Sequence, residues 1–87
     1  MVKENLNGDG SLDLENKKLG AEGTVSLSGL ERLSQVTTLV LGDNGIGDEG
    51  VAALCDSPYL SQVKVLNLKS NKITAVGAKL IAQSPNW

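Results

Sequence analysis

What these 87 residues lack narrows their chemistry before any motif is sought. There is no histidine, which removes the commonest general base near neutral pH and the commonest transition-metal ligand. Phenylalanine is absent and one tyrosine and one tryptophan are the only aromatics, so an interior must be assembled from Leu, Ile and Val. The single cysteine, Cys55, cannot form an internal disulfide; a disulfide scaffold is excluded, and the expectation is a packed structural thiol in a cytoplasmic protein. No run approaches the roughly 18 apolar residues of a membrane span, and the opening Met1-Val2-Lys3-Glu4-Asn5 lacks the apolar stretch of a signal peptide. Eight basic residues are scattered among ten acidic ones, for a formal net charge of −2. Without a basic stripe to neutralise phosphates, nucleic acid is not an expected partner, and neither is a membrane. No Gly-x-Ser-x-Gly elbow and no Walker-type glycine loop is present. Catalysis is not expected, and no cofactor is implied.

Proline is scarce too, and its two positions are informative: Pro58 and Pro85 both follow serine and are 27 residues apart. The same shift lays Leu12 on Leu39 and Leu66, Leu14 on Leu41 and Leu68, and Leu19 on Ile46 and Ile73. It also aligns Leu27 with Leu54 and Ile81, and Leu33 with Leu60 and Trp87. Every position in these five columns is apolar in a chain that is only 40% hydrophobic. Small residues share the rhythm, as in Gly23, Gly50 and Gly77 or Ser28, Cys55 and Ala82. A fixed period of this length marks one supersecondary unit that cannot bury its apolar face alone and must stack on its neighbours.

Within a unit the hydrophobic rhythm changes. Over Val36 to Leu41 and Val63 to Leu68 the inward leucines alternate with other residues, as in a strand. After Gly50 and Gly77 the apolar and small residues recur at helical spacing. Gly20-Ala21-Glu22 and Gly47-Asp48-Glu49 read as helix starts, with acidic residues where the helix dipole favours them. Ser57-Pro58 and Ser84-Pro85 read as helix stops, because the residue before proline is driven out of the α region. Strands separated by helices must run parallel.

The segments Val36-x-x-Leu39-x-Leu41-x-x-Asn44-x-Ile46 and Val63-x-x-Leu66-x-Leu68-x-x-Asn71-x-Ile73 resemble the leucine-rich repeat signature, and the Gly47 to Leu54 segment is similar to the helical half of the ribonuclease-inhibitor-like subclass. The Ser57-Pro58-x-Leu60 ending is similar to bacterial members of that subclass. The resemblance implies an α/β right-handed solenoid of three repeats, about 9–35, 36–62 and 63–87, with a short parallel sheet on the concave face. Residues 1–10 would be a polar lead-in and 11–87 the repeat domain. It further implies that Asn44 and Asn71 turn inward as a structural ladder bonding the backbone of adjacent turns. The first unit departs from the pattern, with Lys17 at the asparagine position and Asp9 at the valine position, as expected of a terminal repeat; Asn16 is an alternative ladder residue. Trp87 ends the sequence in a core column, which leaves open a complete small protein or a piece of a longer array.

Strand alternation points Ser11, Asp13 and Glu15 outward from the first unit, Thr38, Val40 and Gly42 from the second, and Val65, Asn67 and Lys69 from the third. These residues are the expected face for a protein partner, and the stack ends are a second surface, suited to self-association. Two other readings stand beside the scaffold. Asn5 to Asn16 spaces Asn5, Asn7, Asp9 and Asp13 like a calcium loop, although position twelve is Asn16 and Leu12 belongs to the core. GTPase-activating proteins with similar repeats offer a regulatory reading by fold analogy alone.

Overall fold

The computed structural model describes residues 2–87. Its elements run in the order α1 (Val2–Asn5), β1 (Ser11–Asp13), α2 (Gly20–Ser28), a 3-10 turn (Glu31–Gln35), β2 (Thr38–Val40), α3 (Gly47–Asp56), β3 (Val65–Asn67) and α4 (Ala75–Gln83). The strands form one parallel sheet in the order β1-β2-β3. Ser11 pairs with Thr38 and Thr38 with Val65, so the 27-residue offset of the sequence is the register of the sheet. The helices lie side by side, α2 against α3 and α3 against α4.

The strands are shorter than the alternating pattern predicts, three residues each instead of six. Ladder bonding nevertheless continues past them. The N–H groups of Leu14 and Leu41 donate to the carbonyls of Val40 and Asn67, both at 2.8 Å. Helices α2 and α3 begin at Gly20 and Gly47, and α3 and α4 stop at Ser57 and Ser84, before the prolines. Between sheet and helices Leu12, Leu14, Leu39, Leu41, Ile46 and Leu60 are fully buried, each contributing roughly 1.5–3 kcal/mol of transfer free energy.

Residues 2–10, expected as a polar lead-in, also carry apolar anchors. Val2 on α1 is buried with the core, Leu6 packs against it, and Leu6 bridges Leu12 in antiparallel fashion. Two apolar residues four apart suffice to seat this segment over the outer edge of β1, a signal easily lost among Asn5, Asn7, Gly8, Asp9 and Gly10.

Each turn that leaves a strand passes through left-handed backbone. Asn16, Asp43 and Ser70 have φ of 53°, 58° and 58°, and Lys18, Gly45 and Lys72 have φ of 55°, 64° and 59°. The second of these positions aims the N–H groups on either side of it at a single oxygen. Lys17 and Leu19 N–H donate to Asn44 Oδ1 at 2.8 and 3.4 Å, and Asn44 and Ile46 N–H donate to Asn71 Oδ1 at 2.7 and 3.3 Å. The carboxamide nitrogens complete the arrangement. Asn44 Nδ2 donates to the carbonyls of Leu14, Leu41 and Gly42, and Asn71 Nδ2 to those of Leu41, Leu68 and Lys69. Each asparagine therefore reaches back to the preceding unit. At the equivalent place in the first unit Lys17 contributes its backbone N–H to Asn44, and Asn16 a backbone N–H that donates to the Gly42 carbonyl.

Replacing Asn44 with alanine removes the partner of five backbone groups and should lower unfolding free energy by about 3–5 kcal/mol, measured by urea denaturation. Lys18→Gly should act in the opposite direction. Relief of left-handed strain, about 1–2 kcal/mol, exceeds the extra chain entropy of glycine, leaving a gain of roughly 0.5–1 kcal/mol in the same assay.

Candidate interaction face

The outward side chains of the sheet stand in two rows across the strands, Ser11-Thr38-Val65 and Asp13-Val40-Asn67. Strands about 4.8 Å apart hold these rows at fixed spacing on a rigid base. Ser11, Thr38, Val40 and Asn67 are half-buried, Asp13 is exposed, and Val65 has 54% of its surface exposed. The rows are therefore a mixed polar and apolar surface, acidic on β1 and uncharged on β2 and β3.

Glu15, Gly42 and Lys69 lie beyond the strand ends, on the turns. Glu15 and Lys69 are exposed, but Gly42 is buried and presents no surface. The Glu15 side chain lies over it: a Cβ at residue 42 would stand 2.9 Å from Glu15 Oε1. Glu15, Gly42, Asp43, Lys69 and Ser70 line a groove of about 230 Å³, which collects two carboxylates and an ammonium at the carboxyl ends of the strands. The outward positions expected from alternation thus divide into a flat strand surface and a charged rim.

Three of the calcium-loop side chains are engaged by neighbouring groups of the chain itself. Asp9 accepts from Ser11 N–H and Oγ at 3.0 and 2.7 Å, and these bonds hold its carboxyl below the usual carboxylate range. Asn7 Nδ2 donates to Ser11 Oγ at 3.1 Å, Asp13 accepts from Glu15 N–H at 3.0 Å, and Asn5 ends α1. Among the described residues no three carboxylate, cysteine or histidine side chains gather as a metal site. Cys55 is buried, and burial pushes its thiol upward, which leaves it protonated and a poor nucleophile at neutral pH.

Two side-chain seams escaped the sequence analysis. Asp48 is not turned to its own helix. Its carboxylate accepts from the N–H groups of Thr74 and Gly77 at 2.8 and 3.1 Å and from the Thr74 hydroxyl, capping α4 from α3. Thr74 also accepts from Val76 N–H at 3.2 Å. A Cβ on residue 77 would collide with the Asp48 carboxylate, so this approach requires glycine. On the far side of the core, Ser57 Oγ donates to the Ser28 carbonyl at 2.6 Å and Ser84 Oγ to the Cys55 carbonyl at 3.3 Å. The serines before proline had been legible as helix stops, and their recurrence at 27 residues was the available sign of a further role.

Comparison with known proteins gives one finding. A family model described as Leucine Rich repeat matches residues 32–55 and 61–82, more than half of the chain. No curated protein and no solved structure matches it. Among the described residues no helix is long and apolar enough to cross a membrane.

The Thr74 hydroxyl first, then the Thr74 and Gly77 N–H groups, hold the Asp48 carboxyl below its ordinary value of 3.8. A depressed folded-state value means that the cap is fully present above that pH and is lost as pH falls through the folded value. As pH falls below 3.8 the protection factors of the α4 amides, which correct exchange for its intrinsic pH dependence, should therefore drop. Asp48→Asn should raise α4 exchange at neutral pH and flatten its acid dependence, with Asp9 left to titrate as before.

Proposed function

Because the chain belongs to the leucine-rich repeat family, we propose that it is a non-catalytic protein-interaction scaffold that binds its partner on the strand face. The observation that carries this reading is the unbroken pair of side-chain rows on three in-register strands. Thr38 and Val40 lie at its centre, with Asp13, Val65 and Asn67 around them. The one thiol is buried. A free buried thiol also suits a cytoplasmic setting.

In this reading the three strand and helix units are coils of a right-handed solenoid, with the sheet concave and the helices convex. Full α-helices of nine and ten residues between the strands favour the ribonuclease-inhibitor-like subclass. A standard interface takes about 800 Å² per partner, roughly one-sixth of the 5029 Å² surface of this chain. Strands of three residues do not supply that area alone. The partner must also grip the rim, where Glu15, Asp43 and Lys69 offer both signs of charge for orientation.

Photo-crosslinking tests the assignment. Benzoylphenylalanine at Val40 should capture a discrete protein species from cells of the source organism, and the same group at Val25, exposed on α2, should not. With the captured protein purified, Thr38→Arg combined with Val40→Arg should weaken binding at least tenfold without moving the unfolding midpoint. Equal capture from both positions, or undiminished binding by the double variant, would refute the strand face as the site.

A further inference from the structure

Asparagine followed by glycine occurs twice in the chain, at Asn7-Gly8 and at Asn44-Gly45. Glycine lacks the Cβ that restricts the backbone of other residues, so in such a pair the main-chain nitrogen reaches the asparagine carboxamide carbon with little hindrance. The fold treats the two pairs in opposite ways. Asn44 is 3% exposed, its Oδ1 accepts from Lys17 and Leu19 N–H, and its Nδ2 donates to three carbonyls. Turning that carboxamide toward Gly45 would break all of these bonds and strand the groups they serve.

Asn7 and Gly8 are exposed and lie where the chain turns from α1 into β1. Among the described residues the Asn7 carboxamide makes one hydrogen bond, from Nδ2 to Ser11 Oγ at 3.1 Å, and that hydroxyl already donates to Asp9 at 2.7 Å. The Gly8 N–H donates to none of them, and beyond its two chain neighbours no atom lies within 4 Å of the place a Gly8 Cβ would take. Leu6 to Gly10, with Gln35 and Thr37, line a groove of about 470 Å³ that gives water access to the pair. Nucleophile and electrophile thus adjoin, and neither is held away from the other.

We propose that Asn7 is a self-modification site, converted by the Gly8 amide and water to aspartate and isoaspartate, and that conversion loosens the hold of residues 2–6 on β1. The Gly8 nitrogen bonds to Asn7 Cγ, the Cγ–Nδ2 bond breaks, and ammonia leaves with the proton of the Gly8 amide. The cyclic imide then takes up water. Opening at Cγ gives aspartate, and opening at the main-chain carbonyl gives isoaspartate, whose chain runs on through Cβ and Cγ. Either product sets a second carboxylate beside that of Asp9, and like charges in one site oppose each other. Isoaspartate also adds one carbon to the main chain between two bonds that fix the turn, Asn7 N–H to the Ser11 carbonyl at 2.8 Å and Gly10 N–H to the Asn7 carbonyl at 3.1 Å. The first of these is the bond that pairs Leu6 with Leu12. Asn7 lies outside the strand face, and nothing in this chemistry requires a partner there.

The test follows the 87-residue chain by peptide mass spectrometry during incubation at neutral pH. In the folded chain the fragment bearing Asn7 should gain the mass difference of hydroxyl over amino while the fragment bearing Asn44 stays unchanged; in urea both should convert. Gly8→Ala, for which the structure has room, should slow conversion about tenfold or more without moving the unfolding midpoint. In chain isolated after conversion, the nuclear Overhauser contacts between Leu6 and Leu12 should weaken, and in Gly8→Ala incubated for the same time they should persist. Asn7 intact in the folded chain while it converts in urea, equal conversion of Asn44 in the folded chain, an unchanged rate in Gly8→Ala, or undiminished Leu6 to Leu12 contacts after conversion would overturn the proposal.

Discussion

Stacking parallel strands brings the backbone of each turn against the next, where N–H and carbonyl groups lose water and must find protein partners. The whole molecule depends on how that demand is met. One asparagine carboxamide, with an oxygen that accepts twice and a nitrogen that donates, can serve several such groups at once. Asn44 and Asn71 do so from positions 27 residues apart, and the leucines above and below can pack closely only because the turns beside them are satisfied. A left-handed residue, Lys18 or Gly45, supplies the local geometry. Its strain is local, and the bonds it enables join successive units.

The serine seam lies on the opposite side of the same leucine layers. Ser57 and Ser84 tie the ends of helices to carbonyls one unit back, and Asn86 Nδ2 adds bonds to the carbonyls of Leu54, Cys55 and Ser57 at 3.4, 3.1 and 3.1 Å. A core of Leu, Ile and Val between two polar seams is fixed in spacing as well as in composition. That rigidity lets the outward residues Thr38 and Val40 vary in chemistry without disturbing what holds them. Asp48 supplies a third fastening, found only between α3 and α4, because Ala21 stands at the equivalent place in the first unit.

Periodic features were the legible ones. Leu12, Leu39 and Leu66, the helix starts at Gly20 and Gly47 and the stops before Pro58 and Pro85 all repeat, and repetition distinguishes them from chance. The family match at residues 32–55 and 61–82 falls where the repeat is most regular. What escaped was set by position in the stack. Val2 and Leu6 occur once, Asp48 reaches sideways to a neighbouring helix, and Gly42 is covered by a side chain from the adjacent turn. Leu66 and Leu68 carry the same letters as Leu39 and Leu41 yet are only half-buried, because a column alignment does not show which layer lies outermost. For the candidate site, alternation gave the outward rows and the exposed Glu15 and Lys69 beyond them, but not the burial of Gly42 beneath the Glu15 side chain.

Both carboxamides point toward the amino-terminal side of the stack, and this gives chain growth a direction. A ribosome releases Lys17 and Leu19 well before Asn44, so the first turn emerges with its amides still dependent on water. It settles only when the following segment delivers its side chain. Order would then advance one step behind synthesis, each newly made asparagine closing the turn made before it.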